Sequence, residues 1–431
     1  MRVALVNPRW SFANSIYFGC PEPHLPLELG YAAALLEEAG HEVTLLDGQL
    51  DGLANEALAE RVAQAGAEMT VVTTAPTYLF WRCAQPELRT PRAFLDALGG
   101  RGGRTVAVGP HGSVTPAATL TKLGVEVVVR GECEEVIARL ADAGGDPRGI
   151  AGTAWRDGGE LHTEGGPVAA AFIGQPALRW PKAWIARHAH HHHRFDARPD
   201  VPGAEVEASR GCPYSCSFCA KLDYRDRYRR RDLAPLLEEI DDLIAKGAGY
   251  IYFIDEIFLP QKPLLEAMAV RDLVFGVQTR IDLWSPPMLE LLGRAGCVSI
   301  EAGVESLTPE GRDALDKKCR MATDELADRL ITARRFVPFV QANLIATASD
   351  DPALVAHWRE RLRAAGVWAN DPVPLYPYPS SPDYWRRWGA PDDVAWERAH
   401  EHYLAQFERF SDIQDQRPLP LAELEAACRR A

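Results

Sequence analysis

Cys212, Cys216 and Cys219 stand at Cys-x3-Cys-x2-Cys spacing inside the decapeptide RGCPYSCSFC. Three thiolates on one short loop suit three corners of an iron-sulfur cubane and leave the fourth iron open to a small chelating ligand. Structural zinc is the other reading of such a loop. It ordinarily takes a fourth Cys or His at short spacing, and Cys297 lies far off in the sequence. The nine cysteines, an odd number with no export signal beside them, argue against a disulfide framework.

Further candidates are ionisable. Asp255, Glu256, Arg280, Glu301 and Glu305 fall at or near the ends of expected strands, where they either line a site or pair with one another. Gln341 and Asn343 share a strand, with a ligand contact and a structural role equally open. The arginine-rich stretch 225–231 suits a carboxylate or phosphate, or else a solvated loop. The run HAHHHHRF at 188–195 reads as a linker, because nothing in the sequence orients its rings.

Two series of elements must position these groups. Across 1–150, aliphatic runs at 3–6, 42–46, 69–74, 105–108 and 125–129 alternate with helical patterns at 27–39, 56–65, 91–98 and 134–141. That alternation predicts an open, Rossmann-like doubly wound α/β domain. Such sheets bind ligands at the carboxyl ends of their strands. The loops there are Asn7-Pro8-Arg9, Asp47-Gly48, Thr74-Ala75-Pro76-Thr77 and Gly109-Pro110-His111-Gly112-Ser113. They are small, polar and Gly/Pro-rich, which fits either a large flat ligand or plain tight turns.

Residues 151–203 read as a linker with a hairpin near 155–161. From 204 to 382 the strand patterns are 205–209, 250–254, 273–279, 298–302, 337–346 and 373–376. The helical ones are 233–246, 261–269, 287–295, 323–335 and 352–365. Six βα units predict a partial (β/α)6, TIM-like barrel with its chemistry at the strand C-termini. Residues 383–431 read as a helical tail. A net charge of −13, from 60 acidic and 47 basic residues, weighs against a nucleic-acid or anionic-membrane partner. The opening MRVALVN is too short for a signal peptide and no apolar run spans a bilayer, so the expected location is the cytoplasm.

With Phe218 just before the third cysteine, the loop resembles the signature of the radical S-adenosylmethionine (SAM) superfamily. YFIDEIF at 252–258, RID at 280–282, IEAGVES at 300–306 and YPYPSSP at 376–382 resemble its later strand-end segments, in order. LPLELG at 25–30, GHEV at 40–43, GPH at 109–111 and VRGECEE at 129–135 are similar to the cobalamin-binding domains that precede such barrels.

The resemblance implies a cobalamin-dependent enzyme, similar to the class B methyltransferases, with a 4Fe-4S cluster on the three cysteines. It assigns SAM contacts to Phe218, Asp255, Glu256, Arg280, Glu301, Glu305, Ser306, Gln341, Asn343 and Tyr378. Cobalamin contacts fall to Asn7, Pro8, Asp47, Thr74, Ala75, Gly109, Pro110, His111, Gly131 and Glu132. There is no Asp-x-His-x-x-Gly motif to supply a lower histidine to cobalt. After the fifth strand Thr347-Ala348-Ser349-Asp350-Asp351-Pro352 stands where the family often has Gly-x-Pro-Gly-Glu.

The activity implied is methylation of an unactivated carbon of a small metabolite, with electrons from a donor such as flavodoxin or ferredoxin. Rearrangement, cyclisation or epimerisation on the same scaffold is the alternative. An RNA methylthiotransferase or a non-catalytic binding module is further off.

Overall fold

In a computed structural model of the chain, the residues described are 1–16, 23–77, 84–188, 201–220, 225, 227–407, 411 and 416–426. The first sheet has seven strands in the order β2-β1-β3-β4-β5-β6-β7. They are β1 (Arg2–Asn7), β2 (Glu42–Asp47), β3 (Met69–Thr73), β4 (Arg104–Val108), β5 (Val127–Val129), β6 (Thr153–Asp157) and β7 (Glu160–Glu164). The first five are parallel. Strand order reverses between β1 and β3, so the crevice for a ligand opens at their carboxyl ends.

The sheet runs past residue 150. Gly158 and Gly159, both at positive φ, turn β6 into β7, and this hairpin adds antiparallel to β5. Within the expected linker, Phe172, Leu178, Trp180 and Ile185 are fully or almost fully buried. They belong to a hydrophobic core that continues from the Leu27–Glu38 and Glu134–Asp142 helices into the barrel. The connector is thus a packed strap. His188, the first residue of the histidine run, is buried with Nδ1 2.7 Å from the Gly203 carbonyl and Nε2 3.3 Å from Glu205. Residues 190–195 of that run lie outside the described residues.

The barrel sheet is six parallel strands in the order β15-β14-β13-β12-β11-β8. These are β8 (Gly203–Val206), β11 (Tyr250–Phe253), β12 (Val274–Thr279), β13 (Cys297–Glu305), β14 (Phe339–Leu344) and β15 (Trp368–Ala369). A two-stranded ribbon of β9 (Ser209–Arg210) and β10 (Arg229–Arg230) flanks the cysteine loop. The sixth strand falls at Trp368–Ala369, before the 373–376 expected for it, and Val373 contributes a single bridge to Ile345. Pro372 and Pro374 carry no N–H, so a ladder cannot propagate there.

Candidate active site

The cysteine loop is fastened from three sides. Gly211, at φ +78, begins it, and a Cβ there would lie 2.3 Å from the Arg227 carbonyl oxygen, so only glycine fits. Cys212 N–H donates to the Arg225 carbonyl at 3.1 Å, and Ser217 N–H donates to the Leu315 carbonyl at 3.0 Å. The Ser217 hydroxyl donates to Asp383 at 3.0 Å, which ties the loop to the Pro382–Trp388 helix.

Cys212, Cys216 and Cys219 line one cavity of about 220 Å³ at the carboxyl ends of the barrel strands. Among the described residues no three His, Cys, Asp or Glu side chains converge tightly enough for a single ion. The three thiols share this cavity wall, a donor set that suits a multinuclear cluster. Cys297 is not among them: it is buried in β13 with its thiol directed to the Ser299 carbonyl.

Phe218, Glu256, Arg280, Glu305 and Tyr378 share the cavity wall with the cysteines. Glu256 accepts from Gly211 N–H at 2.7 Å and from Arg225 Nε at 2.5 Å. Arg280 holds Asp282 through Nε at 3.1 Å and Nη2 at 2.8 Å, donates from Nη1 to the Lys317 carbonyl at 2.7 Å, and lies 4.1 Å over the Tyr214 ring. Glu305 adopts φ +66 where β13 shifts register against β14, a conformation L side chains hold only under constraint.

The other residues assigned to SAM lie deeper. Glu301 pairs in register with Gln278 of β12 and Gln341 of β14, and Gln278 is in the cavity wall, so the three form one layer of the barrel interior. Gln341 donates to Asn343. Asp255 is fully buried, accepts from Ala208 N–H at 2.9 Å and from the Ser209 hydroxyl, and burial pushes its carboxyl up to about 8. Ser306 donates to Asp350 at 2.6 Å and Asp351 caps the Pro352–Ala364 helix, so the divergent loop after β14 is spent on the fold. The wall also includes Tyr214, Ile257, Gln278, Thr279, Gly303 and Lys317. Lys317 is the least legible of them, since it comes from a loop without periodicity or motif.

The described arginines of 225–231 find the protein's own carboxylates. Glu132 accepts from Arg225 Nη1 at 2.9 Å and from Arg229 at 2.8 and 2.5 Å, while Arg210 pairs with Glu134 and Glu207. Burial alone would raise the Glu132 carboxyl, but Arg225, Arg229 and Arg210 together hold it at about 2. Gly131, at φ +90, lets this turn close on Val168, where a Cβ would lie 2.2 Å from the carbonyl oxygen. Glu132 therefore joins the domains with both carboxylate oxygens engaged, while Gly131 closes on the connector and donates its N–H to the Ser113 hydroxyl at 2.8 Å.

At the crevice of the first sheet Asn7, Pro8, Thr74, Ala75, Gly109, Pro110 and His111 are all buried. Asn7 accepts from Trp10 Nε1 at 2.7 Å. Asp47 caps the Gly48–Asp51 helix by accepting from Leu50 N–H at 2.9 Å, and burial pushes its carboxyl up to about 7. His111 stacks on Trp396 at 4.4 Å, and burial holds it neutral, at about 3. Its Nε2 faces the Pro86 carbonyl at 3.3 Å and so carries the proton, which leaves Nδ1 an acceptor. Among the described residues, His111 Nδ1, Thr74 Oγ1, Gln85 Oε1 and Tyr376 Oη are buried without a hydrogen-bond partner. Such groups are costly unless a ligand serves them, and the amide-rimmed corrin of cobalamin is rich in N–H donors.

One helix, Ala395–Ala405, spans from this crevice to the barrel. Trp396 covers His111, Glu397 pairs with Lys122 at 2.5 Å, and Tyr403 packs on Tyr376 at 5.3 Å. Tyr376 packs in turn at 4.7 Å on Tyr378 of the cysteine-lined cavity.

Residues 206–340 match the Radical SAM superfamily and residues 20–141 the B12 binding domain. The chain carries a radical SAM domain and a B12-binding domain. As a radical SAM enzyme with a B12-binding domain it uses a 4Fe-4S cluster, SAM and cobalamin. An uncharacterised methyltransferase of Pyrococcus horikoshii is 24% identical over 78% of this chain and 72% of its own length. The anaerobic magnesium-protoporphyrin IX monomethyl ester cyclase of Cereibacter sphaeroides is 25% identical over 86% of this chain, which spans 60% of that enzyme. Among solved structures, the radical SAM methyltransferase TsrM from Kitasatospora setae, with tryptophan and a SAM analogue bound, superposes with a TM-score of 0.72 at 19% identity. That match covers 89% of this chain and 74% of TsrM, and it shows that the two-domain α/β architecture is shared. Among the described residues of this radical SAM enzyme, no helix is long and apolar enough to cross a membrane.

Proposed function

We propose that this radical SAM enzyme methylates carbon in a small molecule bound between the two domains, with electrons supplied by an external one-electron carrier such as flavodoxin or ferredoxin. The observation that carries the reading is the run of contacts from His111 through Trp396 and Tyr376 to Tyr378, which joins the crevice of the first sheet to the cysteine-lined cavity. The names of the Pyrococcus and Kitasatospora relatives favour methyl transfer. When bound, the cluster supplies the electron that cleaves the sulfonium, and cobalamin carries the methyl group.

Cys212, Cys216 and Cys219 would hold the cluster, and Phe218 and Tyr378 stand in the same cavity wall. Glu256 and Arg280 set the polar wall through bonds to Gly211 and Asp282. Asn7, Pro8, Thr74, Ala75, Gly109, Pro110 and His111 meet the corrin. The Ala395–Ala405 helix keeps water from the joint, as reactive species require. The acidic chain disfavours nucleic acid as the acceptor of the methyl group.

The cyclase relative favours a second reading, radical ring closure without methyl transfer. Anaerobic turnover of the reconstituted protein with SAM, hydroxocobalamin and reductant, followed by mass spectrometry, separates the two. S-adenosylhomocysteine formed in step with a product heavier by one methyl group supports methylation. Accumulation of 5'-deoxyadenosine without S-adenosylhomocysteine sinks it.

A further inference from the structure

The first domain meets the rest of the chain along two seams of opposite character. At one, the side chains of Glu132, Arg225 and Arg210 are 0%, 2% and 0% exposed. Arg210 also lies over Tyr31 and Phe172 of the hydrophobic core that continues into the barrel. Parting this seam would strand buried charges, so it stays shut in the folded chain.

The other seam lies over the crevice of the first sheet. The Ala395–Ala405 helix sets Trp396 on His111 at 4.4 Å, and Trp396 Nε1 donates to the Thr115 hydroxyl at 3.1 Å. Beside Trp396 sits a clasp of three charges. Lys122, on the Pro116–Leu123 helix of the first domain, donates to Glu397 at 2.5 Å and to both oxygens of Glu425 at 3.2 Å. Glu425, on the Leu421–Ala426 helix, also accepts from Leu88 N–H at 3.4 Å. The side chains of Lys122, Glu397 and Glu425 are 27%, 31% and 26% exposed, so water and salt reach them and separation desolvates nothing. Among the described residues no other ion pair ties residues 395–426 to the first domain.

On its barrel side the same helix is held without charge. Ala399, Tyr403, Leu404 and Phe407 form one apolar cluster with Tyr376 and Tyr384. Of residues 395–426, Trp396 and Leu421 alone reach the core of the first domain. The helix therefore belongs to the barrel, and its contact with the first domain is the part that can yield. Asn7, Thr74, Ala75 and His111, assigned above to the corrin, are all buried, so a ligand as broad as cobalamin reaches them through an opening. We propose that the Lys122 clasp is the latch of that opening, and that its release lets cobalamin enter and leave. The inference rests on the corrin lying at the His111 crevice, and exchange is read without turnover, so it stands apart from the choice between methylation and ring closure.

The test uses methylcobalamin, which carries no net charge, and the full chain with its cluster rebuilt, in the dark and without oxygen. Association is followed by stopped-flow absorbance, and dissociation by chasing labelled cofactor with unlabelled. Raising the salt from about 0.05 M to about 0.5 M should speed both rates severalfold in the wild type. Lys122→Met, and separately Glu397→Gln/Glu425→Gln, should raise both rates roughly fivefold to thirtyfold, keep Kd within about threefold and lose the response to salt. Wild-type rates indifferent to salt, or variants in which dissociation alone quickens or neither rate changes, overturn the latch. A wild-type chain that binds no methylcobalamin overturns it together with the placement of the corrin.

Discussion

Glu132 of the first domain accepts from Arg225 Nη1 of the barrel at 2.9 Å, and each residue is 1% exposed. Removing one member of a buried pair leaves the other charge uncompensated, at about 3–5 kcal/mol. Glu132→Gln should therefore lower the stability of the chain by that order in urea unfolding at neutral pH. The folded carboxyl, near 2, lies below its ordinary 4.5. Its contribution is full above pH 4.5 and lost as pH falls toward 2, so the variant should also flatten the acid limb of the stability curve. A loss below about 1 kcal/mol would mean that the joint rests on packing instead.

Asp255 carries the opposite sign. Its folded value of about 8 lies above the ordinary 3.8, so its stabilising effect is complete below pH 3.8 and drains away as pH rises through 8. Asp255→Asn should narrow the fall in Tm between pH 5 and pH 9 by several degrees, at roughly 2–4 °C per kcal/mol for a domain of this size. Identical pH profiles for the variant and the wild type would show that Asp255 is ionised in the fold.

Ser306 resembles a cofactor contact in sequence, but its hydroxyl is bound to Asp350 at 2.6 Å and accepts from Thr308 N–H at 3.0 Å. Ser306→Ala should leave SAM affinity within about twofold and cost about 1 kcal/mol of stability. Anaerobic calorimetric titration and a thermal melt separate these effects. A tenfold loss of SAM affinity at unchanged Tm would return Ser306 to the site.

His111→Phe keeps a ring against Trp396 and removes the Nδ1 acceptor. Spectrophotometric titration with hydroxocobalamin should show affinity reduced roughly tenfold, the worth of one hydrogen bond to a buried group. The yield of 5'-deoxyadenosine from SAM and dithionite should be unchanged. Unaltered cobalamin affinity would disprove the role given to Nδ1.

The sequence by itself determined the five parallel strands of the first sheet, five of the six barrel strands and the cysteine loop. Buried strands write themselves as aliphatic runs, and a cluster loop must keep its ligands at short spacing, so both signals are local. The hairpin of β6 and β7 was legible near 155–161, while its addition to β5 was not, because strand pairing is settled in space. Only the tertiary structure decided that Glu132 is held by arginines nearly a hundred residues away, that Ser306 and Asp350 satisfy each other, and that Lys317 enters the cavity. A charged side chain shows its type in the sequence but not its partner. The partner is chosen by desolvation and distance, which exist only once the chain has folded.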